Sequence, residues 1–328
     1  MACWFLVAGI VLLVLGSEAV MRGGVGLGQA LRLSPLLIGV FIISTATSSP
    51  ELFVALRAAT TDAPDLALGG IVGGCILNLL LVLGLGAMIR PMSSSPKVVL
   101  RDGGTMLLAS MAVIVIAWSG GIARTDGWLL LAAFALYMVA TFLSDWRRSA
   151  DHSVSLARAE ARMRGGPIPT VGALFLLLIG IIGLALGANF AVAGGVALAR
   201  MLNLQEAFVG LTIIAFGVSL PKLIATIVWS ARGNANLAVG SLIGANVFDL
   251  LGVLGVTAVV APLTFSPPLA SADVYVLAGV SAALLPLLAM RWRLSRPRGV
   301  MLVLAYTCYL IFLVWRQGLI SPALLPIG

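Results

Sequence analysis

The sequence predicts an all-α membrane protein of ten transmembrane helices, built as two inverted five-helix repeats with proline-broken helices at the midplane. Three observations carry that expectation. First, 61% of the 328 residues are hydrophobic and only 10% are charged, which is the composition of polytopic membrane proteins and excludes a soluble globular domain. Second, the apolar runs match the roughly 20 residues that a helix needs to cross a hydrocarbon core of about 30 Å. Third, residues 39–91 match residues 210–262 without a gap at an offset of 171, with 17 identities in 53 positions. Each copy holds an odd number of spans, so the second enters the membrane in the opposite direction, the layout of many secondary transporters.

In chain order the spans fall near 3–21, 35–58, 66–89, 99–119, 127–145, 170–190, 206–230, 236–261, 272–290 and 299–315. The first has no basic segment before it and recurs later in the chain as part of the repeat (Gly16 with Gly187, Gly23-Gly24-Val25 with Gly194-Gly195-Val196), so it reads as a retained span and not as a cleaved signal peptide. Residues 1–145 form the first repeat, 146–169 a basic cytoplasmic linker, 170–316 the second repeat and 317–328 a short tail. One set of alternate loops holds fifteen basic residues, among them Arg90, Lys97, Arg101, Arg232 and Arg291 to Arg298, against four in the other set: Arg57, Arg124, Arg200 and Arg316. That asymmetry places the first set in the cytoplasm and both termini outside, in what reads as a prokaryotic cell membrane.

The expected partners are membrane lipid and transported inorganic cations. The net charge of +8 sits in short connecting loops, so it sets topology and implies no nucleic acid. Three cysteines and a single histidine suggest neither a disulfide framework nor a thiolate or imidazole metal site, which leaves oxygen as the ligand type. Nothing matches a phosphate-binding loop, so transport would draw on an ion gradient. No enzyme activity and no cofactor are expected.

The site residues follow from the repeat. The second span of each half carries a proline, Pro50 and Pro221. A proline lacks the N–H that would bond the carbonyl four residues back, which frees the carbonyls of Ala46 and Gly217 as cation ligands. Beside the prolines stand Glu51 and Lys222, and charge at that depth costs about 2.5–3.5 kcal/mol or more and marks function. Thr47 or Ser48 lies at helical spacing from Glu51, and Ser219 from Lys222, which puts hydroxyls and charge on one face. In the third span of each half, glycines at a spacing of four (Gly69 with Gly73, Gly240 with Gly244) precede a polar residue, Asn78 or Asp249; small residues so spaced let helices approach closely. Glu18 reads as an entrance or interface residue, and Asp102 and Asp273 as helix-start acids with no transport role.

These motifs resemble those of the calcium/cation antiporters, which include the sodium/calcium exchangers. The family pattern Gly-Thr-Ser-x-Pro-Glu followed by Gly-Ser-Asn-x-Phe-Asn/Asp stands here as Ala46-Thr47-Ser48-Ser49-Pro50-Glu51 with Gly73-Gly74-Cys75-Ile76-Leu77-Asn78. The second copy reads Gly217-Val218-Ser219-Leu220-Pro221-Lys222 with Gly244-Ala245-Asn246-Val247-Phe248-Asp249. The resemblance covers both halves and implies exchange of calcium against sodium or protons. By position it makes Glu51 the surviving acid, Thr47, Ser48 and Ser219 oxygen ligands, and Asn78 and Asp249 the completion of the ring.

The departures bear on the ion set. Lys222 replaces the second acid, Val218 a threonine, and Gly74 and Ala245 two serines. Calcium takes six to eight oxygens, several of them anionic; with Glu51 and Asp249 ionised and Lys222 protonated, the site carries a net charge of only −1. Three readings of Lys222 stand open. It can couple cation movement to a proton, because burial and facing carboxylates pull its protonation in opposite directions. It can stand permanently in place of a bound ion while calcium or another cation is exchanged through the remaining oxygens. Or a fixed Glu51–Lys222 pair can lock the two halves of a structural or regulatory protein.

Overall fold

The structure is a computed structural model that describes residues 1–33, 38–93, 96, 99–146, 168–233, 235–267, 269–290 and 292–318. Most of the expected linker and tail lies outside the described residues, as do Lys97, Arg291 and the arginines at 147, 148, 158, 162 and 164. The helices are α1 (Ala2–Ala30), α2 (38–59), α3 (Pro64–Ile89), α4 (Val99–Trp118), α5 (Arg124–Trp146), α6 (Thr170–Met201), α7 (Glu206–Ala231), α8 (Asn236–Val260), α9 (269–289) and α10 (Arg296–Arg316). Among the described residues nine of these are long and apolar enough to cross a membrane. The exception is α2, which is interrupted at Ser48, where the backbone leaves helical geometry (φ −99°, ψ 7°).

Helices α1 and α6 are longer than hydropathy alone suggests, at 29 and 32 residues. Their extra turns contain glycines, and the two antiparallel helices pack on each other along their length, the end of each against the start of the other. Gly9, Gly16 and Gly23 recur every seven residues on α1 and lie against the backbone of Ala191, Leu184 and Leu177 on α6; a Cβ on any of the three would come within 3 Å of it. Close backbone approach is what small residues contribute to helix pairing in lipid. The outward faces of α1, α4, α5 and α6 expose Trp4, Leu108, Leu129, Leu136 and Phe175, as a hydrocarbon solvent requires.

At the centre, α3 and α8 are the most enclosed helices. Each packs against the last helix of the opposite half, α3 on α10 through Gly84 and Gly299, and α8 on α5 through Gly255 and Gly127. The halves are further joined on opposite faces by two-stranded antiparallel ribbons. Strand β1 (Met92–Ser93) pairs with β4 (Arg293–Leu294) on the arginine-rich side, and β2 (Gly121–Ile122) with β3 (Leu263–Thr264) on the other.

The inverted repeat is visible atom by atom. Residues 171 apart can touch only near the pseudo-twofold axis, and two such pairs do. Ser110 Oγ and Ser281 Oγ are 3.2 Å apart, and Asn246 Nδ2 donates to the carbonyl of Cys75 at 3.0 Å.

Candidate functional site

Single π-helical turns occur in repeat-related pairs: 38–43 with 210–214, 78–82 with 248–253, and 99–103 with 269–273. A π turn widens the helix by one residue and re-aims the side chains around it, and such turns cluster at functional positions. Asn78 opens one of them and Asp249 lies in its partner.

The two proline helices differ from each other and from the expectation of two breaks. In α2 the chain breaks at Ser48, and a new helix starts at Ser49 with Pro50 in its first turn, where a missing N–H costs nothing. Glu51 therefore sits in the first turn of a half-helix, at the positive end of its dipole. In α7 the helix runs unbroken from Ala215 to Ala231 with Pro221 inside it. The proline there is absorbed without interruption, about two turns beyond the π turn at 210–214.

Glu51, Lys222 and Asp249 meet in the interior. Lys222 Nζ lies 2.6 Å from Glu51 Oε1 and donates to Asp249 Oδ2 at 2.9 Å, with all three side chains no more than 3% exposed. The lysine thus bridges an acid from each half, whereas the sequence pointed to Glu51 as its partner. Around the triad, Ser48 Oγ, Glu51 Oε2, Asn78 Oδ1, Ser219 Oγ and Asp249 Oδ1 are buried and have no hydrogen-bond partner among the described residues. A buried oxygen left unpaired costs about 1–3 kcal/mol, so five in one neighbourhood indicate groups held ready for a ligand.

Not every expected ligand belongs to that set. The Ala46 carbonyl accepts from Ser49 Oγ at 2.8 Å and from Ser17 Oγ at 3.4 Å, so hydroxyls of the chain itself take up the oxygen that Pro50 frees. Thr47 Oγ1 donates to the carbonyls of Ile43 and Ser44 on its own helix. Gly217 is buried against Ile10 of α1, which a Cβ would meet at 2.7 Å. Val218 lines a cavity of about 10 Å³ together with Glu51, Ala55 and Ile214, which is at most the space of one water molecule. Among the described residues no group of three or more acidic, histidine or cysteine side chains is placed to hold a metal.

The structure also adds residues. Asn246 accepts from Asn78 Nδ2 at 2.9 Å while donating to Cys75, which fixes the amide of Asn78 and turns its Oδ1 free. The signal in the sequence was a lone amide inside a glycine-rich apolar run. Glu18 is half-buried and pairs with Arg22 on its own helix at 2.7 Å. Asp102 is held by Arg101, and Asp273 by Tyr309 and Arg316. Asp273 thereby ties α9 to α10, a firmer role than favouring a helix dipole.

The profile of the sodium/calcium exchanger protein family matches residues 1–143 and 172–315. The chain is 32% identical over 330 residues to the inner membrane protein YrbG of Escherichia coli (strain K12), covering 99% of both chains. It is 31% identical over 309 residues to the putative antiporter CaxA of Alkalimonas amylolytica, covering 93% of this chain and 96% of that one. Among solved structures, the sodium-calcium exchanger NCX_Mj soaked with sodium and strontium is similar over 94% of this chain and 98% of its own, with a TM-score of 0.61 and 27% identity. With the fold, the repeat and the paired motifs all in agreement, the chain belongs to the sodium/calcium exchanger protein family, whose members are membrane exchangers and not enzymes.

Proposed function

We propose that this protein is a secondary cation antiporter in which Lys222 couples cation movement to a proton. One observation carries the reading: a single buried ammonium bridges Glu51 and Asp249, the two carboxylates that a cation would need. An incoming cation and the ammonium cannot both hold those oxygens. When the cation takes Glu51 Oε1 and Asp249 Oδ2, the lysine loses the contacts that keep it charged in an apolar interior, and it releases its proton to water. When the cation leaves, the proton returns and the ammonium again closes the carboxylate pair. Glu51, Asp249, Asn78, Ser48 and Ser219 are the ligands in this reading, and Thr47 and the Gly217 carbonyl remain nearby oxygens. The similarity to the sodium-calcium exchanger NCX_Mj, solved after soaking with strontium, makes calcium and strontium the first cations to test.

A second reading is favoured by the small cavity beside Glu51 and by the committed Ala46 carbonyl: the triad is a fixed lock between the halves. Proteoliposomes containing a pH-sensitive dye separate the two. Coupling predicts that a calcium or strontium jump drives proton movement in the wild type and none in Lys222→Met. Equal dye traces from the two proteins at saturating cation refute coupling, and an absence of cation uptake by both then leaves the lock.

A further inference from the structure

The arginines of the arginine-rich face are of two kinds. Arg296 donates to the Ile89 carbonyl, and Arg298 Nη1 to the carbonyls of Leu287, Met290 and Arg293, so both tie backbone ends together. The guanidinium groups of Arg90 and Arg293 have no hydrogen bond or ion pair among the described residues. Both instead line one cavity of about 450 Å³, together with Ser93, Gly233, Asn236 and Trp292. That size is within the range of small-ligand sites, about 300–1,000 Å³. No acidic side chain is among its described lining residues. The cavity lies where the halves meet, with Arg90 and Ser93 from the first and the other four residues from the second.

The repeat supplies an internal control. At the offset of 171, Arg90, Gly233 and Asn236 correspond to Ala261, Asp62 and Asp65. The ribbon registers pair Ser93 with Arg293 and Thr264 with Gly121, which matches Arg293 to Gly121 and Trp292 to Gly120. These five positions on the opposite face hold two acids and no base. What the two places share is a backbone tie: Asn236 Oδ1 accepts from the Ser93 amide at 2.6 Å, and Asp65 Oδ1 from the Ser266 amide at 3.0 Å. The fold thus needs an acceptor at the helix start and does not need the arginines. Trp292 holds φ +50° where its counterpart Gly120 has +84°. That region favours glycine, and a bulky residue kept in it marks a place where the side chain has a use. Gly233 leaves room for Arg90, whose Nη1 an added Cβ would meet at 3.1 Å. Asn236 spends its oxygen on Ser93, which leaves its Nδ2 as a donor.

We propose that this cavity binds a phosphate-bearing anion, a lipid headgroup or free phosphate, between Arg90 and Arg293. Guanidinium groups match phosphate oxygens bidentately, and the Asn236 amide adds a neutral donor. The indole of Trp292 is of the kind that anchors at the headgroup level, and basic pockets between transmembrane helices are where anionic headgroups dock. A cation would meet two like charges here, and an apolar ligand would cover them without a partner. The inference is independent of the role given to Lys222. Because the two arginines come from different halves, the bound anion would also join the halves at this rim.

Delipidated protein in neutral detergent is titrated separately with phosphatidylglycerol, zwitterionic phosphatidylcholine and inorganic phosphate while Tm is followed, since a ligand of the folded state raises it. A saturable rise with an anion and none with phosphatidylcholine is expected. A response to inorganic phosphate as well as phosphatidylglycerol identifies a free-phosphate site, and one to phosphatidylglycerol alone a headgroup site. Arg90→Gln/Arg293→Gln should raise the half-saturating concentration at least about tenfold, the worth of a charged hydrogen bond. Asn236→Asp copies Asp65 and keeps an acceptor for Ser93, and it should weaken binding as well by placing a negative charge in the cavity. Arg232→Gln removes an exposed arginine outside the cavity and should change the half-saturating concentration less than about twofold. The proposal is overturned by the lack of a saturable response to either anion, or by an equal response to phosphatidylcholine. It is equally overturned by a double variant that binds like the wild type, or by Arg232→Gln weakening binding as much as the double variant does.

Discussion

Replacing Lys222 by methionine tests the triad directly. At an effective dielectric of about 20, each contact of the ammonium with a carboxylate, at 2.6 and 2.9 Å, is worth about 6 kcal/mol of Coulomb attraction. Against this stands a desolvation cost of several kcal/mol for each of three buried ions, so the net contribution of the intact triad is small. Methionine removes both attractions while Glu51 and Asp249 stay buried and repel each other. We therefore expect the cation-free variant to lose about 3–5 kcal/mol, the usual cost of stripping one partner from a buried pair. The same change takes the formal charge of the site down from −1 to −2, so a divalent cation should restore what the lysine supplied. At a hundred times its Kd a ligand adds about 2.7 kcal/mol. Thermal unfolding in detergent with a chelator, and then with millimolar calcium, reads both effects. The expected pattern is a lowered Tm that calcium raises by more in the variant than in the wild type. A Lys222→Met protein as stable as the wild type and indifferent to calcium would refute the account of the triad.

Further outcomes follow from the packing and the hydrogen bonds. Asp249→Asn removes one of two carboxylates and should weaken calcium binding at least about tenfold, or ~1.4 kcal/mol, read by calorimetry. Asn246→Ala leaves the Asn78 side-chain amide unpaired near the pseudo-twofold axis, and a loss of about 1–3 kcal/mol should appear in thermal unfolding. Gly16→Ile forces a branched side chain against the Leu184 amide, which a Cβ would already meet at 2.9 Å; overpacking of about 1–3 kcal/mol should lower Tm. Gly279→Ala meets nothing within 4 Å and should leave Tm unchanged or slightly raised, because alanine favours a helix by about 1 kcal/mol over glycine.

The spans and the repeat were legible because hydropathy and an ungapped offset are properties of many residues at once. The ends of α1 and α6 were not, because the last turns of each pack on the first turns of the other and need no apolar length of their own. Pro50 and Pro221 look alike in sequence, yet one lies just past a break and the other inside a continuous helix. The difference depends on whether the neighbouring turns can absorb the missing bond, and no local pattern records that. Glu51, Asp249 and Lys222 were each identifiable as charges placed deep in apolar spans. That Lys222 reaches Asp249 as well as Glu51 depends on the π turn in α8, which one-dimensional periodicity does not reveal. Ala46 was expected to offer its carbonyl to an ion, but Ser17 and Ser49 supply hydroxyls from positions that carry no motif.

The unequal treatment of the two prolines has one more consequence. Two copies of one motif stand upside down to each other in a single bilayer, and they hold different backbones: broken at Ser48 in the first, continuous through Pro221 in the second. Were the copies to trade these shapes, α2 straightening while α7 parts, the molecule would be turned over about its own axis without either half leaving the membrane. The chain therefore holds both backbone shapes of the proline motif at once, one in each half.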